Sequence, residues 1–148
     1  MSTRSRIGIE NIGGAVTSIY CHFDGYPDGV GRILQTEYQN RAKVEDLIAL
    51  GDISVLCPEL HPQKHEIHTF SRPQKKCTIA YHRDRGTEFK QQTHSSVSMF
   101  LQIPQVRNAT IQYVYLFSLT GTWYISHTED TEHKVFHQTL DSILSHTI

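Results

Sequence analysis

A chain of 148 residues, 38% hydrophobic and 20% charged, can build a real core, which excludes wholesale disorder and favours one domain over two. Fourteen Lys and Arg against fifteen Asp and Glu give a net charge of −1, which excludes a dedicated duplex-DNA binder, with its clear basic excess, and equally an acidic DNA mimic. The opening MSTRSRIGIE has no apolar h-region and no apolar run is long enough to span a bilayer, so neither a signal peptide nor a membrane partner is expected.

In chain order, Arg6 to Glu10 alternates apolar and polar residues, Ile12-Gly13-Gly14 supplies a turn, and Ala15 to Phe23 is rich in β-formers, which predicts a β-hairpin. Asp24 to Gly31 is loop chemistry with Asp28 as an N-cap. Val30, Ile33, Leu34 and Tyr38 share one helical face, and Asn40 caps a second helix with the stripe Val44, Leu47 and Ile48. Gly51 suits a left-handed residue after that helix, and Ile53 to Leu56 is a short strand or buried linker. Residues 57–76, with three prolines and scattered charge, read as a long surface loop.

Cys77 to Tyr81 is a strand candidate that runs straight into His82-Arg83-Asp84-Arg85-Gly86. Thr93 caps a short helix bearing Val97, Phe100 and Leu101, which Pro104 stops. Gln112 to Ser118 and Thr122 to Ser126 form the clearest hairpin, and Phe136, Leu140, Ile143 and Leu144 make the apolar stripe of a last helix. The expected architecture is α+β: one domain over residues 1–148, with a single antiparallel sheet of about five strands and helices packed on one face.

Three cysteines without framework spacing (Cys21, Cys57 and Cys77) read as reduced thiols in a cytosol. Charge is uneven: seven Lys and Arg against four Asp and Glu put residues 58–90 at +3, leaving −4 for the rest. A locally basic segment on a neutral chain suits a small anionic ligand, or is an ordinary solvated loop.

The most concentrated signal is Tyr81-His82-Arg83-Asp84-Arg85-Gly86. On an extended chain, Arg83 and Arg85 at spacing two point their forks the same way, and such forks suit phosphate oxygens. The competing reading is a strand-end salt bridge to Asp84, which alone contributes about 1 kcal/mol or less. A second cluster, Tyr20 to Gly31, passes from strand through turn to helix; the backbone at Gly29 to Gly31 faces anions at a helix start, and Tyr26 and His22 can stack on a ring. It also reads as a plain structural turn capped by Asp28. Arg4 and Arg6 join Arg83 and Arg85 if the first strand lies beside the one ending at Tyr81.

The metal readings are weak. His61, His65 and His68 fall among prolines, and the helical pair His133 and His137 has Lys134 where a zinc protease needs Glu. No metal or cofactor is expected. His94-Ser95-Ser96 and His137-Gln138-Thr139 match the two-histidine phosphoesterase unit only as often as chance gives for ten histidines in this composition.

Several runs together carry a resemblance: STRSRIGI from Ser2, CHFDGYP from Cys21 followed by Gly29-Val30-Gly31, LIALGDIS from Leu47, and AYHRDRG from Ala80. They resemble a family of small uncharacterised bacteriophage-encoded proteins, as does the hairpin from Tyr113 to Trp123. Members tend to carry Trp where this chain has Phe23, and a shorter connection in place of residues 57–76. The resemblance implies a phage or prophage origin and the host-cell cytoplasm, and it supplies no catalytic residue.

By analogy with that setting, the expected function is an anti-defence protein that binds and sequesters a phosphorylated nucleotide immune signal without cleaving it. Arg83 and Arg85 grip phosphate, with His82 donating when protonated; Tyr26 or Tyr81 stacks on the base, and His22, Gly29, Gly31, Arg4 and Arg6 assist. A homo-oligomer that builds the pocket between subunits fits this reading. The alternatives are a protein-binding inhibitor of a host defence enzyme and a phosphodiesterase acting on the same signal.

Overall fold

The computed structural model describes residues 2–102, 110–127 and 138–145. β1 (Arg4–Glu10) and β2 (Val16–Cys21) pair antiparallel across a turn in which Gly13 and Gly14 take φ of +100° and +97°, the left-handed region open to glycine. A wide π-helical turn at Pro27–Gly31 runs into α1 (Arg32–Glu37), followed by α2 (Arg41–Ala49), whose first turn is held by the Asn40 side chain accepting from the Ala42 N–H at 2.8 Å. Gly51 is left-handed, as predicted, with φ +76°. The chain then enters β3 (Ile53–Val55), parallel to β2, and the intervening helices form the crossover such a pair requires.

Residues 57–76 hold no helix or strand, but they are internally fastened. The Gln74 side chain accepts from the Gln63 N–H at 2.7 Å and donates to the carbonyls of Gln63 and Glu66 at 3.1 Å. Next come β4 (Ile79–Ala80), α3 (Tyr81–Arg85), β5 (Gln92–His94), α4 (Val97–Leu101), β6 (Ile111–Phe117), β7 (Trp123–His127), β8 (Gln138–Thr139) and α5 (Leu140–Ser145).

The class is α+β, but the antiparallel five-strand sheet is corrected. Among the described residues the sheet has eight strands in the order β4-β3-β2-β1-β6-β7-β8, with β5 beside β2, and it is mixed: β1–β6 and β2–β3 are parallel. Helices occupy both faces. The main core sets Ile7, Ile9, Ile19, Cys21 and Tyr115 against residues of α1, α2 and α5. A smaller core on the other face sets Phe100 and Leu101 of α4 against Val16, Val114 and Leu116. Buried polar ends find carbonyl partners: Tyr115 donates to Gly25, Tyr38 to Cys57 and the Trp123 indole to Tyr38, at 2.6, 2.7 and 2.9 Å.

Two element assignments also change. Residues 81–85 form a helix where an extended strand exit was expected: the Asp84 carboxylate accepts the Ala80 N–H at 2.7 Å, and Gly86, at φ +76°, ends the turn. Thr93 lies in β5, and it is Ser96 that caps α4, accepting the Met99 N–H at 3.1 Å. The stripe predicted for the last helix begins at Phe136, outside the described residues; within them the helix starts at Leu140.

Candidate functional site

Period-two alternation fixes which side chains share a face. Arg6 stands opposite Tyr20 and Gly8 opposite Ser18, so Arg4, Arg6, Ser18, Tyr20 and His22 project from the face away from the main core. α4 covers one end of that face, where Gly8 permits a close approach: a Cβ there would lie 2.8 Å from the Phe100 ring and from Val16. Beyond α4 the face is polar.

Arg6 is 7% exposed. Its Nε donates to Ser18 Oγ at 2.9 Å and one terminal nitrogen donates to the Ser18 carbonyl at 3.2 Å, while Ser18 Oγ shares a 2.8 Å hydrogen bond with His94 Nε2. Burial pulls the Arg6 guanidinium below its ordinary value, opposed by Asp52 and Tyr20. Burial, and then the Arg6 charge, pull His94 down as well. Tyr20 hydrogen-bonds His22 Nδ1 at 2.7 Å; its phenol is raised by burial, with nearby Arg4 opposing. The Arg4 Nε is buried and has no hydrogen-bond partner among the described residues.

This face opens sideways onto two adjoining depressions. One, of about 340 Å³, is lined by Arg6, Phe89, Gln91 and Gln92; the other, of about 280 Å³, by Tyr81, Arg85, Thr87 and Glu88. Asp52 and Lys90 line both, so the two form one groove. Asp52 is anchored by the Tyr20 N–H at 2.9 Å, and its own N–H donates to the Lys90 carbonyl at 2.9 Å. Arg85 lies over the rings of Phe70 and Tyr81, 4.6 and 5.0 Å from their centroids, while its Nε donates to Thr87 Oγ1 at 2.9 Å.

The structure thus brings Arg6, Tyr81 and Arg85 to one groove, with Arg4 and His22 on the adjoining sheet face. It separates Arg83 from them. On a helix, spacing two turns Arg83 and Arg85 to different sides, which corrects the parallel forks expected of an extended chain. Arg83 is spent on the fold: it donates to both Asp84 oxygens at 2.8 and 3.1 Å, to the Leu60 carbonyl at 2.8 Å and to the Thr78 carbonyl at 2.7 Å.

His82 shares a 2.9 Å hydrogen bond with the Thr87 carbonyl and meets Phe89 edge-on. Tyr26 is exposed beside Asp24, with no described contact to the groove. Gly29 and Gly31 are committed to local packing: the Gly29 N–H donates to the Tyr26 carbonyl at 2.9 Å, and a Cβ on Gly31 would meet Leu140 at 3.0 Å. The five-residue π turn offers no open cradle of amides.

Lys90, Asp52, Tyr20, Ser18 and His94 were missed. Nothing local marks Lys90 or His94, because each arrives through β5 and the segment before it. The alternation of β2 did carry a signal for Tyr20, which shares the parity of His22. The strand ending before Tyr81 does not lie beside β1, because β3 and β2 stand between them, and of the two β1 arginines Arg6 lines the groove.

His68 is buried, as is the Asp84 carboxylate that it meets at 3.1 Å. The Gln74 N–H donates to His68 Nδ1 at 3.0 Å, so the ring proton sits on Nε2 and is donated to Asp84. Burial pushes the Asp84 carboxyl up, but bonds from Arg83, the Ala80 N–H and His68 outweigh it and leave it below its ordinary 3.8. A carboxylate held lower in the fold than in the unfolded chain stabilises the fold above pH 3.8, and that contribution is lost as pH falls through the folded value. Urea midpoints are therefore expected to fall below about pH 4, and Asp84→Asn to flatten that acid limb. An unchanged limb in the variant would assign acid lability to other groups.

Among the described residues, no three His, Cys, Asp or Glu side chains converge as a metal site requires, and no helix is long and apolar enough to cross a membrane. His133 and His137 lie outside those residues. No known protein family, curated protein or solved structure matches the chain.

Proposed function

We propose that this chain captures a small phosphorylated nucleotide and holds it without cleaving it, acting as an anti-defence sponge in a phage-infected cell. The observation that supports this reading is the pair of adjoining depressions in which Arg6, Arg85 and Lys90 stand with the rings of Phe89 and Tyr81, three cations against the two carboxylates of Asp52 and Glu88. Guanidinium forks suit phosphate oxygens, rings suit a base, and Arg4 and His22 lie on the adjoining sheet face. Arg83, Tyr26, Gly29 and Gly31 have no part in it. Sequestration needs a dissociation constant near nanomolar, about −12 kcal/mol, so several charge-assisted contacts must act together.

Calorimetry with cyclic di- and trinucleotides and cyclic ADP-ribose isomers, followed by chromatography of the recovered ligand, tests the reading. Tight binding with intact ligand is expected, weakened at least tenfold in Arg6→Gln, with thermal melting run alongside because Arg6 is buried. Recovered cleavage products would make the protein a phosphodiesterase. No heat with any nucleotide would leave a protein-binding inhibitor as the better description.

A further inference from the structure

The groove repeats one chemical unit. Its first lobe pairs Arg6 with the Phe89 ring, and its second pairs Arg85 with the Tyr81 ring. Between them stands a waist where Asp52 and Lys90 line both lobes, joined by the hydrogen bond from the Asp52 N–H to the Lys90 carbonyl. Read along the groove, Arg6 stands in one lobe and Arg85 in the other, each with an aromatic ring in its lining, while the carboxylates are Asp52 at the waist and Glu88 in the second lobe. The lobes, about 340 and 280 Å³, each sit at the small end of ligand-pocket volumes, so one nucleotide suits one lobe.

Resting on the nucleotide-binding reading above, we infer that the groove is built for a dinucleotide with two separated phosphoryl groups, one beside Arg6 and one beside Arg85, its bases against Phe89 and Tyr81. A contiguous polyphosphate fits this pattern badly. Its charges are consecutive, and laying them across the waist brings an anionic oxygen against the Asp52 carboxylate. One oxygen of that carboxylate already accepts the Tyr20 N–H, which fixes its position, and the other suits a hydroxyl or amino donor on the ligand. The two arginines are differently prepared. Arg6 is held by its two bonds to Ser18, and Arg85 is stacked on two rings, so both side chains have little rotamer freedom left to lose.

Titrating the full chain with cyclic di-adenylate, cyclic di-guanylate, the two nucleoside monophosphates and adenosine triphosphate separates geometry from charge count. One cyclic dinucleotide is expected to bind one per chain, at least 100-fold tighter than either monophosphate and tighter than the triphosphate, although the triphosphate carries more charge. Arg85→Gln and Phe89→Ala, at opposite lobes, are each expected to weaken that dinucleotide at least tenfold, with thermal melting showing that the fold is kept. A triphosphate or monophosphate that binds as tightly as both dinucleotides overturns the two-lobe inference while the nucleotide-binding reading stands. Absence of binding by every nucleotide overturns both.

Discussion

Arg83→Ala is expected to melt roughly 10 °C below the parent chain, a loss of about 3–5 kcal/mol for a buried ion pair with one partner removed. The guanidinium closes a knot: it joins the Asp84 carboxylate to the carbonyls of Leu60 and Thr78, tying α3 to both ends of the irregular segment that precedes β4. Without it, a carboxylate that is only 2% exposed keeps just His68 and the Ala80 N–H, and two carbonyls lose their donor. Arg85→Ala, which removes an exposed guanidinium stacked on rings and its hydrogen bond to Thr87, is expected to cost no more than about 1 kcal/mol. Differential scanning calorimetry on the two variants decides the matter. Equal, small shifts would return Arg83 to the ligand-binding role suggested by its sequence neighbours.

Phe100→Ala is expected to cost about 3–5 kcal/mol, because the ring is fully buried and fills the space left open by Gly8. The loss is expected to be uneven. α4 has five residues, too few to persist as an isolated helix, so its attachment to the sheet depends on Phe100 and Leu101. Amide hydrogen exchange across Val97–Leu101 is expected to rise well above the global unfolding rate, while β1 and β2 stay protected. Uniform acceleration throughout the chain would show that the smaller core unfolds with the rest.

The local signals in the sequence were read correctly where one short stretch contains both cause and effect. The Gly13-Gly14 hairpin, the Asn40 cap, Gly51 and the hairpin of β6 and β7 are such cases. Pairings that join distant stretches left no trace: β1 with β6, β2 with β3, and β5 with β2 are parallel or out of sequence order. At residues 81–86 the misreading was also local. A five-residue helix is too short to display a period, yet Asp84 four residues after Ala80 and Gly86 behind it were both visible. Reading that stretch as extended turned two divergent arginines into a matched pair. The site was legible only in its β1 and β2 half, where alternation alone puts Arg4 and Arg6 on the face of Tyr20 and His22; Lys90 and His94 depend on tertiary placement.

β1 has its neighbours at very different distances along the chain: β2 follows at once, whereas β6 begins at Ile111. During synthesis the hairpin therefore waits, one flank bare, until more than a hundred residues have left the ribosome. That flank is in the meantime a row of unpaired backbone N–H and C=O groups, open to pairing with another nascent chain, and closing it is a slow, long-range step. Yield in a host cell should accordingly respond to translation rate and chaperone supply more than to the stability of the finished molecule.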